Sequence, residues 1–468
     1  MERRGPSSQP NVDEPKARES DVSLIPPEKV GKLLATLRAK AEESPDRRFH
    51  SLYDKVCRLD VLRHAHDRCR ANGGAPGVDG QTFAAIESDG LDRWLEELAE
   101  DLRNRTYRPQ AVRRVMIPKP DGKQRPLGIP TIRDRVAQTA AALVLGAILE
   151  ADLAPEQYAY RSDRSALDAV VRVRDLLREG FVEVVDADLS GYFDGIPHAE
   201  LMKSVSRRVS DGSFLALIKM WLETAVEETD EKGNRRRTTR NQDEGKGTPQ
   251  GAPISPLLAN LYMRRFVLGW TRSATARVLD ARIVNYADDF VICCRTGADE
   301  AAARMRLMMA RLKLTVNEQK TRVCRLPEET FDFLGYTFGR LYSPRTGRAY
   351  LGPTPSAKKV SSLRGEISEL TRRTWTGLSE SAMVGRLNGK LRGWSNYFRL
   401  GTVSRAYRRI DHHAQTRLRR WLCAKTGRQG AGTGAYPNQL LHAELGLIQL
   451  AGGRRWIPPH ELMGRRVC

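Results

Sequence analysis

Along ARIVNYADDFVICC, residues 281–294, apolar and polar side chains alternate on either side of two adjacent aspartates, Asp288 and Asp289. Alternation with a period of two predicts a hairpin built around that pair. The same pattern predicts a short strand over FVEVVDADL (181–189) and another over FDFLGYTF (331–338). RRVMIPKPDGKQRPLGI (113–129) reads as two strands about a Pro-Asp-Gly turn. Helical periodicity starts near Pro27, runs from about Ser51 to Ala71, and returns over 91–104, 131–150, 199–208, 213–226, 255–270 and 299–313. Ser255 is the expected N-cap of its helix, with Pro256 in the first turn. ANGGAPGVDG (71–80) is glycine-rich loop, and 228–246 is a charged loop or hairpin. The mixture predicts an α+β fold. Beyond Pro355 the pattern becomes wholly helical, which places a domain boundary at 345–356. No internal repeat is visible.

Composition adds a partner class. The 468 residues carry a formal charge of +21, a surplus that suits a polyanion such as nucleic acid. A solvated basic surface is the blander alternative. The charge is concentrated: residues 355–428 hold 17 Lys/Arg against 4 Asp/Glu. Seven cysteines form no CxxC pair, so packed thiols in a reducing compartment are expected, and no zinc site. No apolar run approaches the length of a membrane span. Residues 1–28 lack an apolar core and mix acidic residues, prolines and serines, which predicts a mobile tail and no leader peptide.

The aspartates raise the chemical question. Asp-Asp between strands is most often a solvated turn. Two like charges side by side repel unless a cation lies between them, so a third carboxylate would change the picture. EVVDADLSGYFDGIPH (183–198) supplies candidates. Asp186 and Asp188 are expected on one face of a strand, and Asp194 follows a turn. Three carboxylates from two strands suit Mg²⁺, a hard ion that prefers oxygen ligands. Two such ions can activate a hydroxyl and stabilise a leaving phosphate oxygen, which is polymerase chemistry. Lys119 and Arg125 flank the Pro-Asp-Gly turn, within reach of a triphosphate. GTPQGAPISP (247–256) is a loop of little side-chain bulk leading into a helix N-terminus, suited to an approaching nucleotide. Each of these features alone is commonplace.

Together and in this order they resemble the reverse transcriptase–maturases encoded by bacterial group II introns. The matching blocks are APGVDGQTF (75–83), IPKPDGKQRPLGIPTIRDRVAQ (117–138), YAYRSDRSALDAV (158–170), DADLSGYFDGIPH (186–198), GTPQGAPISPLLANLYM (247–263), YADDFVI (286–292), LTVNEQKTR (314–322) and FLGYTF (333–338). LRGWSNYFR (391–399) is similar to the family's thumb signature. The resemblance implies a right-hand polymerase, with fingers and palm over 29–345, a helical thumb or maturase domain over 353–428, and a short C-terminal segment, 429–468, as a candidate DNA-binding piece. It implies that Asp188, Asp288 and Asp289 are catalytic and hold two Mg²⁺ ions together with the Leu189 carbonyl. Phe193 would be the steric gate selecting dNTPs, with Lys119, Arg125 and Gln250 also holding the nucleotide. Asp186 would be structural. Where the family usually reads GTPQGGPLSP, this chain has Ala252 and Ile254; a methyl at 252 matters only if φ there is positive.

The partners implied are the group II intron RNA, an RNA template, a DNA primer or target, and dNTPs, with no membrane; monomer or dimer stays open. TVSRAYRRIDHHAQTRLRRWL (402–422) repeats Tyr407, Ile410, Ala414, Leu418 and Leu422 along one stripe. Its arginines 405, 408, 409, 419 and 420, with Arg161 and Arg392, are the candidate nucleic-acid contacts. Trp394, Tyr397, Phe398 and Tyr407 either stack on unpaired bases or belong to a core. Many relatives add an HNH endonuclease; the Cys/His pairs it needs are missing after Gly427. Priming at nascent strands is therefore expected, in a bacterial cytoplasm close to the nucleoid. Competing functions are an RNA-binding splicing factor with a silent polymerase and a domesticated reverse transcriptase in phage defence.

Overall fold

A computed structural model of the chain describes residues 25–118, 124–229, 234–343, 346–430 and 432–452. Most of the tail expected over 1–28 lies outside them. The architecture is α+β. In chain order the described strands are β1 (Val112–Pro118), β2 (Gln124–Ile129), β3 (Glu183–Ala187), β4 (Val226–Thr229), β5 (Arg235–Thr238), β6 (Arg282–Tyr286), β7 (Asp289–Cys294), β8 (Arg322–Arg325), β9 (Phe331–Phe333), β10 (Tyr336–Tyr342) and β11 (Ala349–Pro355). Two compact units share them. One comprises the chain up to Leu153 with Phe193–Tyr262, the other Ala154–Tyr192 with the chain from Met263.

In the first unit the sheet order is β2-β1-β4-β5. β1 and β2 pair antiparallel from Arg113↔Ile129 to Pro118↔Gln124. The helix Ile132–Leu149 buries Val136, Ala140, Val144, Leu145 and Ile148, so it is apolar nearly all round and central. Its start carries a buried carboxylate, Asp134. That group accepts from Tyr107 Oη at 2.6 Å, Thr131 Oγ1 at 2.7 Å and Gln110 N at 3.1 Å. Burial raises its pKa and these bonds oppose the rise. The network ties the chain entering β1 to the chain leaving β2. The helix expected over 51–71 is two, Tyr53–Val56 and Leu59–Asn72, parted at Cys57 and Arg58. Asp211 satisfies the start of the first by accepting from the Leu52 and Tyr53 amides, both at 2.8 Å. The helix expected over 91–104 starts earlier, at Phe83, with a kink at Gly90, where φ is +108°. The charged stretch 228–246 includes the β4–β5 hairpin.

In the second unit one sheet runs β6-β7-β3-β8, with every pair antiparallel. The other runs β11-β10-β9. Residues 331–338, expected as one strand, turn at Leu334 (φ +51°) and Gly335 (φ +82°) to give β9 and β10. The stretch expected as a boundary, 345–356, contains β11, which pairs with β10 from Tyr336↔Pro355 to Tyr342↔Ala349. Three helices follow, Ala357–Leu370, Glu380–Tyr397 and Ser404–Thr426. The first two open on Ser356 and Ser379, whose side chains accept from the amides of Lys359 and Ala382. They close a core of Leu363, Ile367, Leu387, Leu391, Ile410 and Leu418.

That core does not end with the last basic helix. Leu441 and Leu447 are buried in it, and Leu445, Ile448 and Leu450 pack against it. Asn388 receives the Ile448 amide at 2.9 Å and donates to the Gly446 carbonyl at 2.9 Å. Asp411 receives Leu450 N at 2.9 Å and Ala451 N at 2.7 Å. So residues up to 452 belong to the helical module, where a separate segment was expected from 429. Among the described residues six cysteines are free and buried, and no helix is long and apolar enough to cross a membrane.

Replacing Asp411 with alanine should leave the Leu450 and Ala451 amides without partners and cost about 1–3 kcal/mol. Urea unfolding checks the loss. Hydrogen exchange at those two amides should accelerate more than at the middle of Ser404–Thr426.

Candidate active site and nucleic-acid interface

Strand β3 ends at Ala187, paired with Phe290 of β7. One step further, the antiparallel register sets Asp188 opposite Asp289. Asp186 lies inside β3, paired with Val291 and Arg322, and Asp188 lies one residue beyond the strand's end. The hairpin of β6 and β7 turns on Ala287 and Asp288 alone, with Tyr286 opposite Asp289. Ala287 has φ +57°, a left-handed conformation uncommon for a residue with a side chain. Asp288 is in the turn, and Asp289 is the first residue of its strand.

Charge is crowded here. The Asp289 carboxyl is pushed up to about 6, first by the protein packed around it and then by the negative charges of Asp288, Asp188 and Asp186, with Lys320 opposing. Its outer edge reaches solvent, so the like-charge repulsion is the part a cation would relieve. Asp186 is also pushed up to about 6 by burial, against the pull of Arg322, whose Nε lies 3.4 Å away. Asp188 is held from several sides. Its Oδ2 accepts from Asn317 Nδ2 at 3.0 Å and Lys320 Nζ at 3.1 Å. Its carbonyl accepts from Asn317 N at 2.8 Å, and its amide donates to Thr321 Oγ1 at 3.2 Å. Leu189 bridges to Val316 through the atoms on either side of it, Asp188 O and Ser190 N, so its own carbonyl takes no part in that exchange.

As they stand, no three metal-ligating side chains among the described residues close on one point. The Asp188 carboxylate is committed to Asn317 and Lys320. The donor set nonetheless suits a hard divalent cation: carboxylate oxygens only, with unrelieved negative charge at Asp289. Asn317, Lys320 and Thr321 fall in a block quoted for the resemblance, LTVNEQKTR, but no role attaches to them there. Their contacts to Asp188 cross about 130 residues of chain, a closure that no local pattern encodes. Asn285, buried beneath the turn, is likewise invisible as a site residue: in the strand pattern it is one more polar position.

The residues expected at the nucleotide lie in the first unit. Lys119 is outside the described residues. Arg125 is on β2 opposite Ile117. The Phe193 ring is buried, and its carbonyl accepts from Thr248 N at 2.8 Å. Next to it, Asp194 accepts from Gln250 Nε2 at 3.2 Å. The GTPQG loop is fixed by its backbone: Gly247 N donates to Ile196 O at 2.8 Å, and Gln250 O receives Gly128 N at 2.6 Å. Gly251, at φ +107°, passes so close to the Gly128 carbonyl that a Cβ there would overlap it. Ala252 is buried and is not among the positive-φ residues, so its methyl is accommodated. Ser255 does not cap its helix. It is the first helical residue, and its buried Oγ has no partner among the described residues.

The basic helices divide the expected nucleic-acid contacts. Arg392, Arg405, Arg408, Arg409 and Arg420 are exposed. Arg419 is buried; its Nε donates to Tyr436 O at 2.8 Å, and its Nη2 bonds Asn438 Oδ1. It therefore fastens the segment after the helix and does not face a nucleic acid. Arg161 is half-buried and donates to the carbonyls of Ala154 at 2.9 Å and Gln157 at 3.0 Å, stapling its own loop. Of the two readings of the aromatics, the core prevails. Phe398 is buried among Phe333, Tyr336 and Phe338, and Trp394 packs on Phe398 with ring centroids 4.4 Å apart. The Tyr397 and Tyr407 hydroxyls bond backbone carbonyls.

Comparison with known proteins matches two family models to this chain. Residues 117–338 match a model described as reverse transcriptase (RNA-dependent DNA polymerase), and 360–435 match a group II intron, maturase-specific domain. Protein YkfC of Escherichia coli is 30% identical over 378 residues, 73% of this chain and 96% of that protein. The group II intron-encoded protein LtrA of Lactococcus lactis is 31% identical over 246 residues, 50% of this chain and 38% of that protein. The putative COX1/OXI3 intron 1 protein of Saccharomyces cerevisiae is 26% identical over 334 residues, 59% of this chain and 38% of that protein. The chain thus spans nearly all of the first and about two fifths of the other two.

Exposed and buried arginines should separate in salt titrations of RNA binding. Replacing Arg408 and Arg409 together with alanine should weaken binding and flatten the slope of log affinity against log salt by roughly 1.4–1.8, the value for two lost phosphate contacts. Arg419→Ala should leave the slope unchanged and lower unfolding stability by about 1–3 kcal/mol, because buried acceptors lose their donor.

Proposed function

This chain belongs to the group II intron-encoded reverse transcriptases, RNA-directed DNA polymerases that carry a maturase-specific domain, and on that premise we propose that Asp188, Asp288 and Asp289 form its polymerising centre. The observation that carries this reading is the β3–β7 register, which brings Asp188 opposite Asp289 next to the turn that holds Asp288. The family implies dependence on a divalent metal in general; the finer proposal is two Mg²⁺ ions on these carboxylates, with the Leu189 carbonyl as a further ligand. When bound, Mg²⁺ would lower the pKa of a primer 3′-hydroxyl and neutralise charge on the leaving pyrophosphate.

The chain's own residues supply position and selectivity. Asp188 would exchange its bonds to Lys320 and Asn317 for the metal, which frees an ammonium beside the reacting phosphates. Phe193 would close the space of a ribose 2′-hydroxyl. Lys119 and Arg125 would hold the triphosphate, and Gln250 the sugar. The substrates proposed are dNTPs, a primer 3′-end and an RNA template. The maturase-specific domain points to binding of intron RNA and help with its splicing. The exposed arginines 392, 405, 408, 409 and 420 would hold that RNA, and movement of the intron to DNA would follow from copying it.

Primer extension on an RNA template with Mg²⁺ and dNTPs tests the centre. Asp288→Ala should lower extension at least about a hundredfold, roughly 2.7 kcal/mol of barrier, while splicing of the cognate RNA continues. Wild-type protein that binds RNA tightly, assists splicing and does not extend would replace this reading with that of a splicing factor.

A further inference from the structure

Asn285 stands one residue before the end of β6 and has no exposed surface. Its side-chain Nδ2 donates to the Ala287 carbonyl at 2.8 Å and reaches the Asp289 carbonyl at 3.5 Å. Its backbone is anchored on the other side: its amide donates to Glu156 O at 2.9 Å, and its carbonyl accepts from Tyr158 N at 3.0 Å. Its Oδ1 is buried with no partner among the described residues. A buried amide with half its bonding capacity unused is costly. By packing alone an apolar residue of similar volume would suit the position better. What such a residue lacks is the donor to Ala287, the residue of the turn held at φ +57°.

We propose that Asn285 is a positioning residue for the polymerising centre: its Nδ2 clamps Ala287 in the left-handed conformation and so fixes where Asp288 and Asp289 present their carboxylates. The clamp is referenced to a rigid base, since the Glu156 and Tyr158 backbones hold Asn285 in turn and Arg161 staples that loop. The role rests on the reading of the aspartates as a metal-binding set. Groups that support metal ligands from behind typically change affinity roughly 10–100-fold when removed.

Asn285→Leu keeps the volume and removes the donor. In the full-length chain it should weaken Mn²⁺ binding, read by electron paramagnetic resonance without nucleotide or RNA, by roughly 10-fold or more. The Mg²⁺ midpoint of primer extension should rise in parallel, and RNA affinity should not change. Adding Ala287→Gly should restore most of the loss, because glycine takes the left-handed conformation without support. A packing defect would not respond to that second change. Asn285→Ala repeats the test if the leucine variant folds poorly. Wild-type Mn²⁺ binding by the Asn285 variants, or no rescue by Ala287→Gly, overturns the positioning role. Asp288→Ala is the control: if it binds Mn²⁺ like wild type, the aspartate reading fails; if it loses binding while Asn285→Leu keeps it, only the positioning role fails.

Discussion

Strand β7 buries every residue from Phe290 to Cys294, and β3 beside it buries Val184, Val185 and Ala187. Charge in the middle of such a pair would be stripped of water with nothing to replace it. Carboxylates are tolerated where the pair ends, and there Asp188, Asp288 and Asp289 collect. The antiparallel register then decides which ends meet. Sliding β7 by one residue would turn its alternating side chains to the opposite faces, so the register that seals the core also fixes the carboxylates. Asp186 lies inside the strand, and burial raises its carboxyl to about 6 even with Arg322 beside it, the level that Asp289 reaches with like charges around it.

The first unit solves a different problem by a different device. The GTPQG loop is held by backbone hydrogen bonds to residues 128, 193 and 196. That arrangement demands glycine where chains pass closest, at Gly251. Beneath the β1–β2 hairpin, Asp134 gathers donors from residues 107, 110 and 131. One buried carboxylate thereby orients the two strands on which Arg125 and the chain flanking Lys119 depend.

Much of this is readable from the chain alone, for physical reasons. Alternation over 281–294 reports a half-turned strand pair directly, and the amphipathic stripe through Ile410, Ala414, Leu418 and Leu422 reports a buried helix face. Breaks are harder. The start of the short helix at Tyr53 is met by Asp211, about 160 residues away, and β11 exists because β10 offers it a partner. Arg419 looks like its exposed neighbours because periodicity marks apolar positions and says nothing of which arginine meets a later carbonyl. The identity of the aspartates came from ordered motifs; their surroundings, Asn317, Lys320 and Asn285, came only from the folded chain.

The last helix is closed from below. Asp411 and Asn388 receive the strand of chain at 446–451, and Leu441 and Leu447 complete the apolar interior. A gene fusion made at the end of the basic run, near Arg428, would therefore cut through a core. Recombination that parts residues 441–451 from the basic helices would be tolerated far less often than the glycine-rich composition just after Gly427 suggests.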